Sequence, residues 1–265
     1  MDFYSSKENQ EFYINNIKLS GIQALDLKWE SSVEPSLLIE NNSKNYINSK
    51  FIEADLGIEY IPLANDILLN FTGNTPFSGK FNYNDKYFIF KTGFLNNYSL
   101  NYEIDSVVSA KANLKIFAEV YSETGLEILK PANFNILPYN NNYVDIYFDS
   151  SVVDKALVNK LNLTIECEKR PSYKIGQILP DEFISMLPLK ISLSLFANIN
   201  EYTFSGVTSI YNKPDIQDLT LKLKSYVNGS NLYSFTFKDL TKSEETSNFS
   251  TIEEGRVNFN YYTLF

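Results

Sequence analysis

Histidine is absent from this 265-residue chain, and cysteine occurs once. Without an imidazole there is no Ser-His or Cys-His couple, and the commonest general base and the usual zinc and non-haem iron ligand go with it. The single thiol, Cys167, excludes an intrachain disulfide framework. Its one candidate activator nearby in sequence is Lys169, and the expected role is that of a half-buried structural side chain. Long apolar runs are also missing. No segment approaches the roughly 20 residues of a membrane-spanning helix, and the polar opening from Met1 to Gln10 lacks the apolar core of a signal peptide. The expectation is a soluble protein made in the cytoplasm without a membrane anchor. The Asn-x-Ser/Thr triplets at Asn70, Asn97, Asn162, Asn228 and Asn248 then read as by-products of an Asn-rich composition. Basic residues are in deficit, 23 against 32 acidic, for a net charge of −9. That balance opposes gripping nucleic acid, which requires phosphate neutralisation, and suits a surface past which DNA slides.

What is abundant points to strands. Hydrophobic residues make up 44% of the chain and aromatics 15%, with 20 Phe and 19 Tyr. Phe, Tyr, Ile, Val and Thr fit a pleated, half-buried surface, and long Ala/Leu/Glu/Lys stretches are scarce. The length suits two ordinary domains, each able to bury its own core.

The chain also resembles itself. Glu30-Ser-Ser-Val-Glu-Pro35-Ser36 with Ile39 lies over Glu166-Cys-Glu-Lys-Arg-Pro171-Ser172 with Ile175 at an offset of 136, and Leu25, Leu27 and Trp29 fall on Leu161, Leu163 and Ile165. A second block sets Leu56, Ile58, Ala64-Asn65 and Phe71-Thr-Gly73 over Leu189, Ile191, Ala197-Asn198 and Phe204-Ser-Gly206 at an offset of 133. A third sets Phe88-Ile-Phe90-Lys91 over Phe235-Thr-Phe237-Lys238, with Ala112 to Ile116 over Val257 to Tyr261 more loosely. Blocks in the same order argue for an internal duplication. The expected organisation is a first β domain over 1–121, a linker over 122–142 with Gly125, Pro131, Pro138 and Asn140 to Asn142, and a second β domain over 143–265.

Within a unit, Leu25 to Glu30 and Leu161 to Glu166 alternate apolar and polar, the period of a strand with one buried face. Pro35 and Pro171 are expected to end them. The stretches Asn41 to Lys50 and Gly176 to Ser185 become excursions, with Asp181 or Glu182 after Pro180 able to begin a short helix. Strands are expected from Phe51 to Phe71 and from Leu187 to Phe204. Hairpins follow: Phe81 to Tyr83 with Tyr87 to Phe90, and Leu219 to Leu223 with Leu232 to Phe237 around Asn228-Gly229. Gly73 to Gly79 reads as a turn, and Ser151 to Leu161 as strand rather than helix. The fold class is all-β: two tandem antiparallel sandwiches or partly open barrels related by internal duplication, with at most short helices.

No set of residues assembles a catalyst. Glu244-Glu245, Glu253-Glu254 and Asp181-Glu182 are adjacent pairs, and neighbours in a strand point to opposite faces, so they read as solvated rim charges. No spacing matches a calcium loop or a phosphate loop. The expectation is a protein with no enzymatic activity, no cofactor and no metal, whose strand edges are satisfied by partners. Subunit-contact candidates come from the excursions: Tyr46, Ile47 and Phe51 in the first, and Ile178, Phe183, Ile184 and Met186 in the second.

The alternating strand ending in Pro-Ser (Trp29 to Ser36, Ile165 to Ser172), the long excursion after it, and Phe71 to Tyr83 with the Gly93-Phe94 corner in Phe90 to Ser99 together resemble the bacteriophage tail-tube superfamily. The resemblance spans nearly the whole chain, taken as two tail-tube-like units. It implies a virion structural protein of the phage tail: a ring, trimeric or hexameric, that contacts itself and neighbouring tail proteins and lets DNA pass during ejection. The second unit departs from the pattern, reading Lys238-Asp-Leu-Thr where the first has its Gly93-Phe94 corner. An alternative from composition is a tandem binding module, carbohydrate-binding or host-attachment, with surface aromatics such as Tyr211 and Tyr233.

Overall fold

In a computed structural model, the residues described are 2–4, 11–19, 21–30, 33–37, 44–48, 53–62, 66–73, 75–83, 86–103, 106–117, 120–123, 144–148, 151–152, 160–175, 180–185, 189–198, 216–224, 231–249 and 254–263. Among them the chain is mostly antiparallel β-structure, as its composition and period-2 patterns predict. The first half contributes β1 (Asp2–Tyr4), β2 (Phe12–Ile14), β3 (Ile17–Leu19), β4 (Ile22–Glu30), β5 (Val33–Leu37), β6 (Lys44–Asn48), β7 (Glu53–Tyr60), β8 (Phe77–Tyr83), β9 (Lys86–Glu103), β10 (Ser109–Ile116) and β11 (Tyr121–Glu123). The second contributes β12 (Val144–Phe148), β13 (Ser151–Val152), β14 (Lys160–Glu166), β15 (Lys169–Ser172), β16 (Glu182–Ser185), β17 (Leu189–Asn198), β18 (Ile216–Lys224), β19 (Asn231–Phe249) and β20 (Glu254–Thr263).

Sixteen of these strands form one sheet, ordered β1-β4-β7-β10-β9-β14-β17-β20-β19-β18-β12-β13, with β2, β3, β8 and β11 branching beside β9. The excursions stand apart as two-stranded sheets, β5-β6 and β15-β16. Alternation sets the faces. In β7 the buried residues are Ala54, Leu56, Ile58 and Tyr60, and in β10 they are Ala110, Ala112, Leu114 and Ile116, while the residues between them face outward. Burying each of the larger apolar side chains contributes about 1.5–3 kcal/mol, which fixes the register against one-residue slips.

β9 organises the first half. Over its 18 residues it exchanges partners along its length, pairing with β8 and β11 through its first part and with β10 and β14 through its last. The exchange falls at Gly93, which stands opposite Phe77 on one side and Ile116 on the other. The ring of Phe90, fully buried, lies against this point, with Phe12 and Phe77 at centroid distances of 6.3 and 6.1 Å. A Cβ at Gly79 would meet Phe90 Cζ at 2.1 Å, and one at Gly93 would meet Cε2 at 2.6 Å. Two glycines therefore make the slot for one phenylalanine, and Gly93-Phe94 is not the expected corner but the middle of a continuous strand.

The pairing network of the first half recurs in the second. β2 pairs with β3 and β8, β4 with β7, β7 with β10, and β9 with β8 and β10; likewise β12 pairs with β13 and β18, β14 with β17, β17 with β20, and β19 with β18 and β20. Residue positions correspond as well. Leu25 and Leu27 stand opposite Ile58 and Leu56, and Leu161 and Leu163 opposite Leu195 and Leu193. Leu193 thus stands opposite Leu163 in β17 as Leu56 stands opposite Leu27 in β7. In the next strands, Ala112 faces Ile58 and Val257 faces Leu195.

Other expectations change in detail. Pro35 and Pro171 do not end β4 and β14, which stop earlier, but sit inside β5 and β15, opposite Tyr46 and Phe183. A two-stranded sheet has an edge on each strand where a missing N–H costs nothing. Glu182 begins a strand rather than a helix, because Lys169 to Ser172 offer it a ladder. Phe71 closes a five-residue 3-10 helix, Ile67–Phe71, instead of a strand; Asp66 caps it by accepting from Leu68 N–H at 3.0 Å. Phe77 to Gly79 belong to β8, not to a turn. Ser122 and Glu123 are in β11, and the remainder of the expected linker lies outside the described residues.

Candidate functional site

The two halves meet edge to edge. All seven residues of β14 pair with β9, from Lys160 opposite Glu103 to Glu166 opposite Asn97, and Cys167 N–H donates to Asn96 O at 2.8 Å just beyond. The joint is apolar inside, where Leu161, Leu163 and Ile165 face Tyr102, Leu100 and Tyr98, all buried. Outside it is polar, with Asn162 opposite Asn101 and Thr164 opposite Ser99. The β15-β16 hairpin then reaches back over the first half. Phe183 packs its ring against Phe94 and Phe117, and the Tyr173 hydroxyl donates to Glu53 Oε1 at 3.1 Å.

The outer face of this sheet is wet and carries cross-strand ion pairs. Lysines alternate with carboxylates across strands: Lys115 with Asp55 at 2.9 Å, Lys111 with Glu59 at 2.5 Å, Lys160 with Glu103 at 3.1 Å and Lys190 with Glu166 at 3.6 Å. Exposed pairs of this kind contribute little stability, about 0–1 kcal/mol each. Their consequence is electrostatic, since each cation already has a carboxylate beside it. On the same face lies a groove of about 800 Å³, floored by Gly57 and walled by Asp26, Asn97, Ser99, Lys111 and Asn113. Among the described residues no aromatic lines it.

Two buried carboxylates are structural anchors. Asp66 accepts from the hydroxyls of Tyr60 and Tyr98, the latter at 2.9 Å. Burial raises its pKa above the ordinary value, and these bonds and the Leu68 N–H offset only part of that. Glu11 accepts from Tyr13 at 3.1 Å, Tyr87 at 2.9 Å and Lys18. Burial would raise its carboxyl, but those three hydrogen bonds and the Lys18 charge outweigh it and hold it below its ordinary value. The period-2 pattern carries no sign of either anchor, because both lie outside the strands, Glu11 just before β2 and Asp66 at the cap of the 3-10 helix.

Cys167 is buried, and desolvation pushes its thiol up to about 12 against the modest pull of Lys169. Lys169 is itself buried and held below its ordinary pKa, by desolvation. A neutral thiol is a poor nucleophile. Among the described residues no three His, Cys, Asp or Glu side chains gather closely enough to hold a metal ion.

Of the contact candidates, Phe183 is taken up within the chain as described, and Ile184, its neighbour, is exposed. Tyr46 and Ile47 lie in β6 at the register positions that correspond to Phe183 and Ile184. Phe51, Ile178 and Met186 lie outside the described residues, as does Tyr211; Tyr233 is placed in β19 by its backbone alone. The joint itself, β9 with β14, was not singled out by sequence, because alternation marks a strand without naming its neighbour. No family model matches the chain, and no curated protein is similar to it.

Proposed function

We propose that this chain is a non-enzymatic structural protein that works as an oligomer, a ring or tube component of the phage-tail kind through which DNA passes. Two copies of one β unit per chain, arisen by duplication, would let trimers imitate hexamers. The observation that carries the reading is the joint: two units with the same pairing network, fused edge to edge into one sheet. A sheet that extends by adding like units is suited to building a wall. The outer face adds support, because Ser, Thr and Asn alternate there with lysines already matched by carboxylates, a lining that would not hold phosphates. On this reading the partners are further copies of the chain and neighbouring tail proteins, and the site of action is the virion. Negative-stain images and mass photometry of the purified chain test it. Closed rings of uniform size are expected; a monomer at every concentration refutes it.

The groove over Gly57 favours a second reading, a binding module for a polar ligand such as a glycan. Its lack of aromatic walls weighs against sugar stacking. A glycan array with a Gly57→Leu control separates the two readings.

A further inference from the structure

The strand edge that joins the two halves inside the chain has a counterpart on β19 in the second half and another on β4 in the first. At Gly93, β8 and β10 flank β9 on opposite sides, so β14 lies along the same edge of β9 as β8. At Thr241, β18 and β20 flank β19 in the same way. The last part of β19 is therefore the counterpart of the segment that receives β14. Lys111 faces Ser99 and Ala110 faces Leu100; Arg256 faces Asn248 and Gly255 faces Phe249. Asn248 and Phe249 thus hold the positions of Ser99 and Leu100. Among the described residues no strand pairs with this part of β19 on the β18 side.

At the other end, β4 is the counterpart of β14. Among the described residues, its edge away from β7 is paired by three: Asp2, Phe3 and Tyr4 stand opposite Lys28, Leu27 and Asp26. At the same positions of β14, Thr164, Leu163 and Asn162 receive Ser99, Leu100 and Asn101, also antiparallel. In register, an apolar residue stands opposite an apolar residue at the centre of both, Phe3 opposite Leu27 and Leu100 opposite Leu163.

We propose that β1 is a removable guard on the edge of β4, and that its replacement by β19 of a second copy of this chain joins copies head to tail in the register of β9 and β14. Resting on the ring reading above, this names the joint: Asn248 of one copy opposite Lys28 of the next, Phe249 opposite Leu27. The β5-β6 hairpin, counterpart of the hairpin that carries Phe183, holds Tyr46 at the register position of Phe183. The two surfaces differ, so the contact is heterologous and closes into a ring only if the rotation per copy divides a full turn. The guard sets when that happens. A cover bound nine-tenths of the time weakens apparent association about tenfold.

The test uses full-length chains with paired cysteines. Lys28→Cys with Asn248→Cys is expected to give a ladder of linked chains under mild oxidation, while an equimolar mixture of the two single variants stops at dimers. Ser99→Cys with Thr164→Cys, the same register inside one chain, controls for disulfide geometry and should close without change of mass. Phe3→Pro removes a ladder N–H from β1 and should lower the concentration for half-assembly about tenfold. Rings in which only the control pair closes would overturn the proposed joint and leave the ring reading standing. Ladders with unchanged assembly of Phe3→Pro, its fold intact by circular dichroism, would overturn the guard. Monomers of every variant would overturn the joint and the ring reading together.

Discussion

The ring of Phe183 lies 4.2 Å from that of Phe94, centroid to centroid, and 5.1 Å from that of Phe117. Phe183 belongs to the second half of the chain and its two neighbours to the first, so this cluster clasps the joint beside the β9-β14 ladder. Phe183→Ala should lower stability by about 2 kcal/mol, less than for a fully buried ring because Phe183 is half-buried. Hydrogen exchange should show faster opening at Asn97 to Glu103 than at Phe12 to Leu19, which a uniform loss would not produce.

Gly79→Ala should cost about 3 kcal/mol, because the new methyl would sit 2.1 Å from Phe90 Cζ in a core with no room to yield. Phe90→Leu shortens the obstructing ring. The double variant should be more stable than the sum of the two single losses by at least about 1 kcal/mol in urea titrations.

Glu11 and Asp66 should tilt the pH profile in opposite directions. Glu11 is held below its ordinary 4.5, so its contribution is present above that pH and is lost as pH falls through the lower folded value. Glu11→Gln should flatten the acid limb and lower stability at neutral pH by about 2 kcal/mol, the loss of charge-assisted bonds.

Burial raises Asp66 above its ordinary 3.8, so the fold favours its protonated form; that contribution is complete below 3.8 and fades as pH rises through the folded value. Asp66→Asn should remove this fading from thermal melts. Asp66→Ala removes the acceptor shared by the Tyr60 and Tyr98 hydroxyls and should cost about 3 kcal/mol.

Cys167 should resist alkylation in the folded chain. With the thiol pushed up to about 12, the thiolate fraction at pH 8 falls on the order of 10³-fold below that of an ordinary cysteine, before burial adds its own barrier. Iodoacetamide followed by mass spectrometry checks this. Rapid labelling of the native protein would contradict it.

The parts of this fold that were legible in sequence are those that depend on a strand's own period. The alternation in Leu25 to Glu30 and in Leu161 to Glu166 places Leu25, Leu27, Leu161 and Leu163 in the core, where they are. Partner choice was not legible. β9 exchanges neighbours at Gly93, and a glycine between aromatics looks like a turn until the ring of Phe90 fills the space that it leaves. The prolines misled for a related reason, since Pro35 and Pro171 are barred from a central strand but not from an isolated two-stranded sheet. Asp66 and Glu11 are single carboxylates among many, and their importance comes from tyrosines distant in sequence, Tyr98 and Tyr87 among them.

The long reach of β9 also bears on synthesis. Its last part, Asn97 to Glu103, is translated well before its partner Lys160 to Glu166. At ribosomal rates of about 5–20 residues per second, the roughly sixty residues between them take about 3–12 s to appear. For that interval a nascent first half, already able to pair β4, β7, β10 and β9, carries an unfilled ladder whose natural complement is a strand of its own kind. On a crowded polysome the nearest such strand belongs to the next chain, so the spacing of ribosomes on the message, as well as the sequence, will influence how often each half finds its own second half.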